Sequence, residues 1–98
     1  DPGLWFKARP GAVVRSVHPG RVLFAGPARH GLTVVVDQGD GFSALYANLR
    51  SLQVQQGDYA PERHSLGRLH EGLRHSATLY FELRKGQHVL DTAVWMGL

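Results

Sequence analysis

The chain has 98 residues, 43% hydrophobic and 19% charged, which is apolar surface enough for one small core and too little charge density for a disordered chain. Its net charge of +3 biases it mildly toward acidic partners, but the basic residues are scattered singly from Lys7 to Lys85 and form no stripe suited to nucleic acid. Cysteine is absent, which excludes disulfides and thiolate metal sites, and the longest apolar runs, Val22 to Ala25 and Leu32 to Val36, fall far short of the about 20 residues that span a membrane.

The chain opens at Asp1 with neither Met nor a leader, as a processed C-terminal part of a longer protein would. Glycine falls in turn contexts, at Pro19-Gly20, Gly26-Pro27, Gly39-Asp40-Gly41, Gly57-Asp58 and Lys85-Gly86. Between these lie segments of strand length rich in Val, Leu, Phe and Tyr: Ala12 to Val17, Arg21 to Ala25, Leu32 to Asp37, Phe42 to Asn48, Leu52 to Val54, Ser65 to Leu69, Leu79 to Arg84 and His88 to Leu90. That rhythm predicts an all-β domain, a small antiparallel sandwich or barrel. Gly67 and Gly72 interrupt any helix over Pro61 to Ala77, so that stretch reads as a strand and a long loop. The firmest hairpins run from Leu32 to Asn48 around Gly39-Asp40-Gly41 and from Leu79 to Leu90 around Lys85-Gly86-Gln87, on turn residues that tolerate positive φ. No repeat or linker composition divides residues 1–98, which read as a single domain.

Alternate residues of a strand point to opposite faces. Leu79, Phe81 and Leu83 therefore form one apolar face, expected to be core, while Thr78, Tyr80, Glu82 and Arg84 share the other. The same rule groups Leu45, Ala47 and Leu49 and leaves Tyr46 and Asn48 opposite them. Both strands are thus expected to turn aromatic and polar groups toward a groove on the sheet. Tyr80 and Arg84 are residue types that dominate interfaces, although a stacking or salt-bridge pair with Glu82 accounts for them almost as well. Trp5 reads equally as a core cap or a groove anchor, and Trp95 as core. Arg63, Arg68 and Arg74 read as a solvated surface.

Val34 through Leu49, with Asp37-Gln38-Gly39-Asp40-Gly41 at its centre and Tyr46-Ala47-Asn48-Leu49 at its end, resembles the V-I-x-H-G-x-G-x-x-T-x-Y-x-H-L hairpin of the LytM or lysostaphin-type endopeptidases. Gly20 through Gly26 looks like that family's D-G-x-V-x-x-A-G strand, and Gly57 through Gly67 like its G-D-x-V-x-x-G-x-x-I-G. Thr78 through Arg84 looks like H-L-H-F-E-x-R, and Asp91 through Trp95 like the closing x-D-P-x-x-W. The resemblance covers nearly the whole chain and implies the LytM fold, a duplicated hybrid motif.

The departures fall on the chemistry. The H-x-G-x-D opening of the family aligns with Asp1-Pro2-Gly3-Leu4-Trp5, so the resemblance puts Asp1 and Trp5 at two zinc-ligand positions and Tyr80 at the third. The two catalytic histidines correspond to Asn48 and Thr78. A catalytic zinc takes about three imidazole, carboxylate or thiolate ligands and leaves a place for water. Trp has no lone pair to give and neutral Tyr is a poor ligand, so only Asp1 could still bind, and without imidazole at Asn48 and Thr78 nothing moves protons. His18, His30, His64, His70, His75 and His88 show no H-x-H or H-x-x-x-H spacing and read as ordinary solvated or hydrogen-bonded residues.

The resemblance therefore implies a protein with no catalytic residue, metal or cofactor, closest to the EnvC-like non-catalytic activators of cell-wall amidases. The expected partner is a cell-wall hydrolase or another envelope or division protein, met in a periplasmic or extracytoplasmic compartment. Carried over by position, Tyr80 and Arg84 lead the partner-binding groove, with Tyr46, Asn48, Thr78 and Trp5 beside them. The alternatives are a residual zinc metallopeptidase with non-standard ligands and a module that binds peptidoglycan directly through its aromatics.

Overall fold

The structure, a computed structural model, describes residues 3–72 and 77–95, apart from the side chains of Val94 and Trp95. The elements are β1 (Leu4–Lys7), β2 (Val13–Arg15), β3 (Gly20–Ala28), β4 (Gly31–Gly39), β5 (Phe42–Leu52), β6 (Tyr59–Ala60), β7 (Ser65–Leu69), β8 (Thr78–Lys85), β9 (His88–Val89) and a single helical turn, α1 (Thr92–Trp95). Every strand pairing is antiparallel, in the order β1-β8-β5-β4-β3-β6, with β7 joining β5 to β2 and β9 beside β8. The all-β antiparallel architecture expected from the turn spacing is the one observed. Among the described residues no helix is long and apolar enough to cross a membrane.

The β4-β5 hairpin closes at Asp40 and Gly41, both at positive φ, 54° and 81°. Such a turn matches the right-handed twist of the flanking strands, and Asp-Gly adopts it at little cost. The long strand β5 is the axis of the fold. Phe42 through Ala47 pair with β8, whereas Leu49 through Leu52 pair with β7. The change of partner happens at Asn48, held at φ 65°, a left-handed conformation that Asn tolerates better than most residues.

One face of the sheet carries the main core. Val34, Val36, Ala44, Tyr46, Leu49, Leu66 and Leu69 are buried there, with Val14, Val22, Val54 and Ala60 closing over them and Leu79 and Phe81 packed alongside. The opposite face carries a smaller cluster of Leu45, Ala47 and Tyr80 against Val35.

Three sequence expectations change. β1 and β6 are additional strands of only four and two residues, too short to show a pattern of their own. Leu52 to Val54 is not a separate strand: Leu52 ends β5, and Val54 enters the core from the loop that follows. The third change concerns Tyr46. It stands directly opposite Phe81 on β8, and opposed residues of paired strands share a face, so Tyr46 belongs to the core. Leu45 and Ala47, opposite Glu82 and Tyr80, take the other face. The left-handed Asn48 then breaks the alternation, returning Leu49 to the side of Tyr46. Asp1, Arg74 and His75, and the Trp95 side chain, lie outside the described residues.

Candidate functional site

On β8 the side chains of Tyr80, Glu82 and Arg84 follow one another along one face, as the period of two requires. The Tyr80 hydroxyl donates to Glu82 Oε1 at 2.6 Å. Arg84 grips the other carboxylate oxygen, with Nε donating to Oε2 at 2.9 Å and Nη2 at 2.9 Å. Glu82 is 6% exposed, and burying a carboxylate is costly unless it is paired and hydrogen-bonded. Its neighbours on the strand meet that requirement. The expectation that Tyr80 and Arg84 face away from the core is met, but Tyr80 lies under a cover of other groups and is 0% exposed.

The cover comes from two places. Trp5 on β1 stands opposite Tyr80 with its ring centroid at 4.8 Å, and His30, in the turn between β3 and β4, lies at 4.1 Å from the same ring. Trp5 and His30 meet edge to face at 5.7 Å, an arrangement that aromatic quadrupoles favour. Asn48 N–H donates to the His30 carbonyl at 2.8 Å, which ties this turn to the bend in β5. Gly3 closes the remaining side: a Cβ there would stand 2.5 Å from the Tyr80 ring and hydroxyl, so only glycine admits this approach. Trp5, by contrast, remains 52% exposed, which makes it a wall of the cleft and not a core cap.

Burial is the main reason the Tyr80 hydroxyl is pushed up to about 12, reinforced by its bond to Glu82 and by the Glu82 charge; the Gly3 backbone hydrogen bond and Arg29 pull weakly the other way. Tyr46 is also raised by burial, opposed by its hydrogen bonds with Val17 and Ser16. Its hydroxyl accepts the Val17 N–H at 3.0 Å and takes no part in the cleft.

Asn48, tied to the His30 carbonyl, also reaches Thr78 on β8. Asn48 Nδ2 donates to the Thr78 carbonyl at 2.8 Å and to Thr78 Oγ1 at 3.2 Å. Five of the six residues expected to line a groove, Trp5, Asn48, Thr78, Tyr80 and Arg84, are thereby placed on one side of the sheet, and Tyr46 on the other. His30, Gly3 and Glu82 complete the site. Of these, only Glu82 was visible as a neighbour of Arg84 in the strand pattern.

At two of the three positions that the resemblance assigns to zinc, Trp5 and Tyr80, the side chains do not suit the ion. The Trp5 indole has no lone pair to offer, and Tyr80 would bind only as phenolate, a form that its buried bond to Glu82 opposes. Asn48 and Thr78 bring an amide and a hydroxyl where imidazoles would be needed. Among the described residues no group of three or more His, Cys, Asp or Glu side chains converges to hold a metal.

Residues 1–92 match peptidase family M23. An uncharacterized protein of Neisseria meningitidis serogroup B, NMB1333, is 28% identical over 95 residues, which make up 96% of this chain and 16% of that protein; the chain thus spans about one sixth of that relative's length. The catalytic domain of the antimicrobial peptidase lysostaphin from Staphylococcus simulans has the same fold, with a TM-score of 0.85 at 20% identity over 100% of this chain and 80% of that one. A chain in the crystal structure of the SpoIIIAH and SpoIIQ complex superposes with a TM-score of 0.73 at 25% identity, over 86% of this chain and 62% of that chain.

Proposed function

The chain belongs to peptidase family M23, and from that premise we propose that it is a non-hydrolytic recognition domain of the bacterial cell envelope. In this reading it acts outside the cytoplasm, docking a cell-wall hydrolase such as an amidase and recruiting or activating it during division. The surface used is the cleft that would hold metal and substrate in a peptidase. One observation carries the reading. Where the family places a ligand histidine, the Tyr80 hydroxyl is buried against Gly3, Trp5 and His30 and donates its proton to Glu82. That side chain is a filler of the cleft, not a ligand. The superposable chain from a complex of two proteins supports the idea that this type of domain serves protein association.

Two assays test the proposal. Purified sacculi incubated with the domain and added zinc are expected to release no soluble fragments, whereas a cell-wall amidase given the same domain is expected to release them faster. Zinc-dependent digestion by the domain alone would overturn the reading in favour of a residual peptidase. Pelleting of the domain with sacculi, without any effect on an amidase, would favour direct wall binding.

A further inference from the structure

Beside the filled cleft lies a second feature, a cavity of about 330 Å³ between the β3-β4 turn and the β8-β9 hairpin. Its apolar lining includes Leu45 and Ala47 from β5 and Val89 from β9, while Arg29 and Arg84 bring two guanidinium groups to it. Glu82 also lines it, but the Glu82 oxygens are already engaged by Tyr80 and Arg84. The charges of Arg84 and Glu82 offset each other, and Arg29 leaves the cavity cationic. Arg29 is exposed and makes no ion pair among the described residues. Arg84 spends Nε and Nη2 on Glu82 and keeps 38% of its side chain in solvent, with further N–H donors on the same guanidinium.

A cavity that combines aliphatic side chains with two arginines, alongside His30 and Thr33, matches one kind of ligand. We propose that this cavity seats a carboxylate on a short aliphatic stem, the side chain of a glutamate in an acidic segment of a partner protein. The stem would cover Leu45 and Val89, and the carboxylate would meet Arg29 and the free edge of Arg84 in charge-assisted hydrogen bonds. The exposed Trp5 indole touches His30, which itself lines the cavity, and offers an apolar anchor. Aromatic and arginine anchors in one patch are the composition of a protein interface core. The inference rests on the recognition reading above and adds the chemistry of what is recognised.

The test uses the purified chain and two labelled synthetic peptides, an amphipathic helix with Glu and Leu on one face and its twin with Gln in place of Glu, compared by fluorescence anisotropy. The Glu peptide is expected to bind, the Gln twin to bind about tenfold more weakly or worse, and added salt to narrow the gap. Arg29→Glu, at an exposed turn position, is expected to leave the circular dichroism and melting temperature unchanged and to weaken the Glu peptide by a similar factor. Equal affinity for the two peptides overturns the proposal on the unmodified protein alone, whatever the variant does. No affinity for the Glu peptide, or Arg29-dependent pelleting with sacculi in its place, also overturns it. The failure of the recognition reading itself shows separately, as zinc-dependent digestion of sacculi by the same preparation.

Discussion

Two buried tyrosines stand on neighbouring strands and point to opposite faces of one sheet, and they are buried for different reasons. Tyr46 is 1% exposed within a field of Val, Leu and Phe, with Phe81 edge to face at 5.3 Å, and its hydroxyl bonds only the residues just after β2, at the Val17 N–H and the Ser16 side chain. Tyr80 is 0% exposed among Trp5, His30 and Glu82, and its hydroxyl supports a buried carboxylate. The first face is held by apolar contact, the second by a polar chain with aromatic cover. Most of the buried apolar core lies on the first face, and the smaller cluster on the second. Tyr46→Ala breaks this comparison most violently. Truncating a buried aromatic costs about 3–5 kcal/mol, and the Val17 amide loses its acceptor as well. Chemical denaturation is expected to find a chain near the limit of a small domain's stability.

Tyr80→Phe sharpens the contrast, because it removes one oxygen and leaves the rings in place. Glu82 Oε1 loses its donor, and a buried carboxylate short of a partner costs about 1–3 kcal/mol. The matching Tyr46→Phe change deprives two neutral partners, the Val17 amide and the Ser16 hydroxyl, and no charged group, and is expected to cost less. A smaller effect follows from proton binding. The Tyr80 ionisation is raised in the folded protein from 10.0 to about 12, so between those values the folded chain holds a proton that the unfolded chain has released. Stability from this source is complete below about pH 10 and is lost as pH climbs toward 12. Denaturation midpoints measured across that window are expected to fall in the native protein and to fall less in Tyr80→Phe.

The same contrast explains what the sequence made legible. Turn residues placed both hairpins, because Gly39-Asp40-Gly41 and Lys85-Gly86 leave the backbone few alternatives. Alternation correctly put Leu79 and Phe81 with the core and Tyr80, Glu82 and Arg84 together. It failed for Tyr46 because a strand's own pattern says which residues share a face and not which face that is. Leu45, Ala47 and Leu49 made as good an apolar stripe as the true one. Only the register Tyr46 opposite Phe81, with the left-handed Asn48 after it, decides between them, and register is a property of two strands. The site was legible along β8, where its members are two residues apart. His30 arrives from a turn 50 positions away in sequence from Tyr80, and nothing near it in the chain ties it to that ring. Gly3 lay inside the opening motif, yet its close approach to Tyr80 depends on β1 pairing with β8.

Trp5→Ala gives the smallest effect on stability and the sharpest division between fold and recognition. The indole is half in solvent and belongs to a four-residue edge strand, so truncation forfeits one aromatic contact with Tyr80 and one with His30, together about 1 kcal/mol. The variant also uncovers the Tyr80 ring, which is expected to lower its alkaline transition toward the ordinary tyrosine range, because burial is the largest cause of the upward shift. If the cleft is the docking surface, amidase stimulation falls far more than this small loss of stability would predict, since an exposed indole is the kind of group on which interfaces concentrate their binding energy. Stimulation that tracks the melting temperature across Tyr46→Ala, Tyr80→Phe and Trp5→Ala would make all three tests of folding alone. A Trp5→Ala protein that melts normally and stimulates nothing would assign recognition to the face that Tyr80 fills.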